Sequence, residues 1–350
     1  MVLLLPMQTS YLNTSGHIYD SEFINLVQLS EGSVKFDERT LFLNQEEKDF
    51  LNGQKIVEIS DSIVVFKNKE KWGLIANLPK EEYIKGNVKS HELVLPSTVQ
   101  GMLSNFHGYN GEAAPVLLGH ERLIDLESFV KVNEPDKRHA INDYELFIYQ
   151  GEKAAKLLSQ YQDLDQLFIG DGHHRLYTTS LSNFKQTVFA CVMSFDYLDI
   201  LPIHRLLKEV SDEMYLHALN FLSKKFELKK VAADSVLPKG HVRMSRGRDY
   251  YLIRLIDLAS DAFWNNDIYR LNTQIISQAF RSFDQAEIQY ISEEMLKNSK
   301  SFSEQDVILE THALSKKEFI EAAKNDTVLP PKSTWVYPKF PSFLLMNKYQ

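Results

Sequence analysis

The sequence has one cysteine, Cys191, in 350 residues, so no internal disulfide can form and a reducing compartment is expected. It has no uninterrupted apolar run of the length a membrane helix needs, so no span is expected. The apolar start, Met1 to Met7, is too short for a secretory leader and lacks a basic flank. Basic residues are not in excess: the formal net charge is −8, which argues against a nucleic-acid or anionic-membrane surface as the main partner. No internal repeat and no low-complexity tract is present. A soluble, cytoplasmic protein is expected. Cys191 lies in the apolar run Val188 to Met193 and reads as a core residue.

What remains is a globular composition, 44% hydrophobic and 25% charged, enough to bury a core in about two domains. The most informative stretch is Gln166 to Thr179, QLFIGDGHHRLYTT. An apolar strand, Leu167-Phe168-Ile169, ends in Gly170-Asp171-Gly172, where glycines let the backbone bend. His173, His174 and Arg175 follow at the start of a helix. The unpaired N–H groups of a first helical turn suit an anion, and arginine adds a two-pronged donor. Asp171 can act as a base or a Mg²⁺ ligand, and either imidazole can move protons near neutral pH. The same stretch also reads as an ordinary strand-to-helix turn. Zinc fits poorly, because neighbouring side chains diverge and the cysteine lies elsewhere.

Other elements follow from periodicity. Ser62–Phe66 and Trp72–Leu78 read as a hairpin, and Pro79 opens a short helix. Asn44–Asn52, Ser97–Phe106, Gly151–Tyr161, Val210–Lys225, Asp267–Phe283 and Ser315–Asn325 read as helices. Ala114–Leu118, Leu123–Val132, Glu145–Tyr149, Thr187–Ser194 and Phe226–Val231 read as strands, with Asn133–Asp143 a polar connection. His241–Arg246 and Asp249–Leu255 form a second hairpin, whose Arg246 and Arg248 keep the turn solvated. Gln289–Ile291, Val307–Glu310 and Trp335–Tyr337 are further short strands. His91-Glu92 reads as a solvated loop pair or as a general base with a tuning neighbour. His204-Arg205 is a second His-Arg pair at the end of an apolar segment. The segment Pro330 to Lys339 is a rigid strap that can bring Lys332, Ser333, Thr334 and Lys339 to a phosphate.

Taken in order, WGLIA (72–76), HE (91–92), IGDGHHR (169–175), LPIHRL (201–206) and LPPKSTWVYPK (329–339) resemble a bacterial and archaeal domain-of-unknown-function family with a DGHHR signature and a PxKSTxFxPK-like ending. That family is similar to ParB/sulfiredoxin-fold proteins, which include free L-serine kinases. The resemblance implies an α/β fold of mixed sheets: an N-terminal segment (1–60) packed on a ParB/sulfiredoxin-like catalytic core (61–210), then a C-terminal α+β domain (211–350). It implies an ATP- or ADP-dependent kinase of a free small hydroxyl compound, serine to O-phosphoserine, with a ParB-like nucleotide switch as the alternative. Asp171, Gly172, His173, His174 and Arg175 would form the nucleotide-phosphate site, with His204, Arg205, Lys332, Ser333 and Thr334. Mg²⁺ would bridge the phosphates through Asp171. Glu92 would activate the substrate hydroxyl, with His91 and Lys339 beside the substrate. A homodimer is compatible with this reading. Two departures stand out: Ile18-Tyr19-Asp20 replaces the family's Pro-Tyr-Asp, and Leu93 to Gln100 replaces a Thr and a charged Lys-Glu-Asp-Arg stretch.

Overall fold

The computed structural model describes residues 1–16, 26–30, 33–35, 45–46, 55–258, 264–282, 288–297, 302–327, 329–330 and 332–349. Within Asn44–Asn52 only Gln45 and Glu46 are described, and they are helical; the rest of that stretch, Ile18-Tyr19-Asp20, Phe283 and Pro331 lie outside the described residues. Among the described residues no helix is long and apolar enough to cross a membrane. The chain divides into two compact units. One holds Met1–Ser90, Val94–Asp199 and Pro338–Gln350; the other holds His91–Leu93 and Ile200–Tyr337.

The first unit contains β1 (Met7–Asn13), β2 (Ile56–Asn68), β3 (Lys71–Pro79), α1 (Lys80–Ile84), α2 (Pro96–Gly108), β4 (Val116–His120), α3 (Leu126–Val132), β5 (Lys137–Ile141), β6 (Tyr144–Gln150), α4 (Gly151–Gln162), β7 (Leu167–Asp171), α5 (His173–Leu181) and β8 (Thr187–Ser194). Its mixed sheet runs β1-β2-β3-β8-β4-β7 through the middle. The pairs are antiparallel except β8 with β4, which run parallel with Cys191 opposite Leu117. Every residue of β8 is buried, so its sequence is a continuous apolar run rather than an alternation. The expected hairpin is β2–β3, and Cys191 is buried as expected. One core cluster joins Ile63, Val65, Leu74, Ala76 and Val192 of the sheet to Phe129 of α3 and Leu157 and Tyr161 of α4.

Two sequence expectations change here. Leu123–Val132 is not a strand: Asp125 caps a helix by accepting from the Ser128 N–H at 2.9 Å, and Leu126, Phe129 and Val130 share the inward stripe. Asn133–Asp143 is not only a connection, because β5 pairs with β6 within it. Its Lys137-Arg138-His139 charges are those of an edge strand, which hides the strand from an apolar-pattern reading.

The second unit contains β9 (His204–Leu207), α6 (Asp212–Lys225), β10 (His241–Arg246), β11 (Asp249–Arg254), β12 (Val307–Thr311) and α7 (Lys316–Lys324). Its six-stranded sheet is antiparallel throughout, with β9 between β12 and Ile288–Ile291. The core sets Leu207, Val242, Met244, Ile253 and Leu309 against Ala218 and Leu222 of α6 and Leu271 and Ile275. The Asp267 helix begins as an α-helix to Arg270 and widens to a π-helix over Leu271–Ser277. Arg246 departs from the expected solvated turn: its guanidinium lies 4.7 Å over the Tyr215 ring and bonds the Val210 carbonyl and Asp212. Ser315 and Glu318 form a reciprocal cap on α7.

The chain then returns to the first unit as β13 (Leu345–Lys348), antiparallel to β1 with Ser10 opposite Asn347. Near it a salt bridge lies wholly inside the protein. Lys185 Nζ is 2.9 Å from Glu112 Oε1, and the two side chains are 0% and 1% exposed. Lys185 also donates to Thr179 Oγ1 of α5 and lies over the Phe106 and Tyr349 rings. The Phe189 N–H of β8 donates to Glu112 Oε2. Burial lowers the lysine's pKa, against the pull of Glu112. Removing one partner strands the other charge in the core, so Glu112→Ala is expected to cost about 3–5 kcal/mol, read as a lower urea midpoint in equilibrium unfolding.

Candidate functional site

β7 ends in a bulge. Its register against β4 shifts between Ile169 and Asp171, which makes Gly170 the extra residue and re-aims the carboxylate that follows. Gly172 then caps α5 with φ +92° and ψ 27°, the left-handed region that glycine enters without strain. A Cβ at this position would sit 2.9 Å from Val116 Cγ2 and 3.0 Å from Arg175 Nη2. The chain therefore needs glycine here for both conformation and space.

Asp171 is the centre of charge. Its Oδ2 accepts from Arg175 Nη2 at 2.9 Å, and its Oδ1 is 2.7 Å from Lys339 Nζ. Arg175 Nη1 donates to the Ala114 carbonyl, and the arginine side chain is only 8% exposed. Burial works to raise the Asp171 pKa, yet Lys339 and Arg175, with help from His173, hold it down at about 2. His173 is buried. His174 is half-buried, and its Nε2 accepts the Leu95 N–H at 2.9 Å, which leaves the proton of the neutral ring on Nδ1. Asp171, Gly172, His173, His174, Arg175 and Lys339 thus form one cluster at the start of α5.

The remaining candidates gather in the second unit. His91 is fully buried, with Nε2 2.9 Å from Thr334 Oγ1 and its ring 4.2 Å from that of Phe319. Glu92 pairs with Leu329 as an isolated parallel bridge, held by Leu329 N–H to the His91 carbonyl at 2.6 Å and Leu93 N–H to the Leu329 carbonyl at 3.2 Å. Arg205 donates to the Ile203 carbonyl at 2.5 Å and the Lys332 carbonyl at 3.0 Å, and lies over Tyr290. Burial lowers its pKa to about 10, against Tyr290 and Glu92. Ser333 Oγ donates to the Pro330 carbonyl at 2.6 Å. Motifs separated by up to 243 positions are thereby brought together inside one unit, through His91 with Thr334 and Arg205 with Lys332. His204 is buried too, and both its ring nitrogens are engaged: Nδ1 accepts the Thr311 N–H and Nε2 faces Glu293, each at 3.2 Å.

Sequence reasoning did not find the Lys185–Glu112 pair, because neither residue stands in a motif. It placed Lys339 beside the substrate or a phosphate and did not find that the lysine is the direct partner of Asp171.

A family model described as "Protein of unknown function (DUF1015)" matches residues 54–286. No curated protein matches the sequence. Among solved structures the chain is similar to C-terminally truncated SbnI from Staphylococcus aureus, with 12% identity, TM-score 0.44, and coverage of 77% of this chain and 85% of that one. It is similar to a free serine kinase variant in complex with ADP at 13% identity and TM-score 0.43, covering 77% and 92%. A conserved hypothetical protein from Pyrococcus furiosus aligns at 15% identity and TM-score 0.42, covering 77% and 93%.

The lowered pKa of Asp171 fixes a pH window. Its folded pKa, about 2, lies below the ordinary 3.8, so its stabilisation is complete above the ordinary value and is lost as pH falls through about 2. The size is on the order of 2 kcal/mol. Urea midpoints measured from pH 6 down to pH 2 are expected to separate wild type from Asp171→Asn at the upper end and to converge at the lower.

Proposed function

The chain belongs to the DUF1015 family, and from that premise we propose that it transfers a phosphoryl group from ATP or ADP to the hydroxyl of a free small molecule, serine first. The observation that carries this reading is the Asp171 carboxylate held between Lys339 and Arg175 at the glycine-capped start of α5. One carboxylate against two cations leaves the spot net positive, and the first-turn N–H groups add to it. The positive charge of such a place suits a phosphate. The DGHHR and PPKST motifs resemble those of the family, and the family's likeness to ParB/sulfiredoxin-fold proteins, which include free serine kinases, supports the nucleotide assignment.

The residues fit Mg²⁺ less well. Both Asp171 oxygens already face cations, and among the described residues no group of three His, Cys, Asp or Glu side chains is placed to hold a metal ion. No step is therefore drawn through a metal.

In the proposed reaction the acceptor oxygen attacks the terminal phosphorus, the bond to the bridging oxygen breaks, and the shortened nucleotide leaves. Phosphoryl transfer of this kind rests on positioning and charge neutralisation. The motif resemblance assigns the acceptor's proton to the Glu92 carboxylate. His91 and Thr334 hold one another in the second unit and would orient the segment that carries Glu92.

The test is phosphoryl transfer from ATP and from ADP to a panel of free amino acids, with O-phosphoserine as the expected product. Nucleotide consumption that no amino acid stimulates would replace this reading with a nucleotide-driven switch. Glu92→Gln is expected to lower turnover by about 10²–10⁴-fold while nucleotide affinity is kept. A fully active variant removes Glu92 from the chemistry.

A further inference from the structure

We propose that a cavity on the sheet of the second unit binds a free amino acid with an apolar side chain, taking its carboxylate at Arg248 and its ammonium at Glu304. The inference is independent of the phosphoryl-transfer reading and uses none of the residues placed there.

The cavity measures about 390 Å³, within the range of small-molecule sites, and every residue lining it belongs to the second unit. Its floor follows from strand register. Val242 and Met244 of β10 point into the core against α6, so Arg243 and Ser245 between them point the other way. Ser245 lies opposite Tyr250 of β11 and Ile308 of β12, and Arg243 lies opposite Glu310. The same register carries the hairpin tip at Gly247 and Arg248 toward the segment that precedes β12, which brings Ser303, Glu304 and Asp306 to the wall.

Some of the charged lining is already committed. Arg243 grips both Glu310 oxygens through Nε and Nη2, and its Nη1 donates to the Ser235 carbonyl at 2.6 Å. Asp306 accepts the Glu209 and Ser303 N–H groups, each at 3.0 Å. These contacts build the cavity and fix its shape. Other groups are left over. Ser245 is only 6% exposed and faces the cavity, yet its hydroxyl makes no hydrogen bond among the described residues. A hydroxyl so enclosed needs a partner that the fold does not supply. The Tyr250 hydroxyl beside it is also unbonded among the described residues, as are the Arg248 guanidinium and the Glu304 carboxylate.

Those leftovers define the ligand. Two hydroxyls and a guanidinium suit a carboxylate. A simple oxyanion would meet the like charge of Glu304, whereas an ammonium on the same molecule turns that charge into a partner. Leu296, Phe302 and Ile308, each half-buried, form an apolar side to the cavity that suits a hydrocarbon side chain. A zwitterion with an apolar tail meets all three requirements at once.

Calorimetry on the full-length protein tests this with L-leucine, its one-charge analogues 4-methylpentanoate and isopentylamine, L-serine and inorganic phosphate. Leucine is expected to bind saturably, and both analogues and serine about tenfold or more weakly. Arg248 and Glu304 are exposed, so their substitution spares the fold. Arg248→Ala and Glu304→Gln are each expected to weaken leucine about tenfold, and Glu304→Gln to leave 4-methylpentanoate unchanged. No saturable heat with leucine overturns the proposal. Phosphate or 4-methylpentanoate binding as tightly as leucine also overturns it, in favour of a plain oxyanion site. Leucine binding that neither Arg248→Ala nor Glu304→Gln alters removes the ligand from this cavity.

Discussion

The Asp171 carboxylate is drawn from two sides, by Arg175 in the first turn of α5 and by Lys339 from a distant part of the sequence. Neither partner comes into place by local folding alone. Arg175 needs the Ala114 carbonyl beside β4, and Lys339 needs the segment around β13 laid against β1. The charge cluster can form only after the sheet has closed around it. That dependence makes the cluster a product of tertiary structure, although its most recognisable half is a run of five adjacent residues.

The sheet supplies the rigidity this requires. β8 and its neighbours are buried on both faces, and the turn into α5 is confined by Val116 on one side and the arginine on the other. Farther along α5, the enclosed Lys185 joins Thr179 to Glu112, and Glu112 holds the backbone of β8. A buried ion pair is a poor source of stability compared with apolar packing, but it is selective about geometry, because each charge tolerates few alternative surroundings. Here that selectivity fixes the helix that carries the histidines. In the second unit buried histidines are held in the same way: His91 meets Thr334, and the two nitrogens of His204 meet the Thr311 N–H and the Glu293 carboxylate.

The sequence revealed much of this where a local rule was enough. The β2–β3 hairpin, the helix from Gly151, the capped helix after Ser315 and the all-buried β8 each follow from spacing and end signals. The strand-turn-helix around Gly172 was legible for the same reason, since the glycines and the apolar run are adjacent. Leu126–Val132 was misread because a short apolar stretch has no decisive period, and the Asp125 cap decided it. Lys137–Ile141 was missed because an exposed edge strand carries charges. The partner of Asp171 was missed because nothing near Lys339 records which strand its segment will join. The motif resemblance named the residues, and only the folded chain divided them between a cluster around Asp171 and a second group around His91 and Arg205.

Cys191 sits midway along β8, opposite Ile75 on one neighbour and Leu117 on the other, with no exposed surface. Burial raises its pKa, so the thiolate that alkylating reagents attack is scarce while the strand stays in place. The lone sulfur therefore works as a native clock for the middle of the sheet: its labelling rate counts how often the innermost strands part, with no engineered probe and no second thiol to confuse the record.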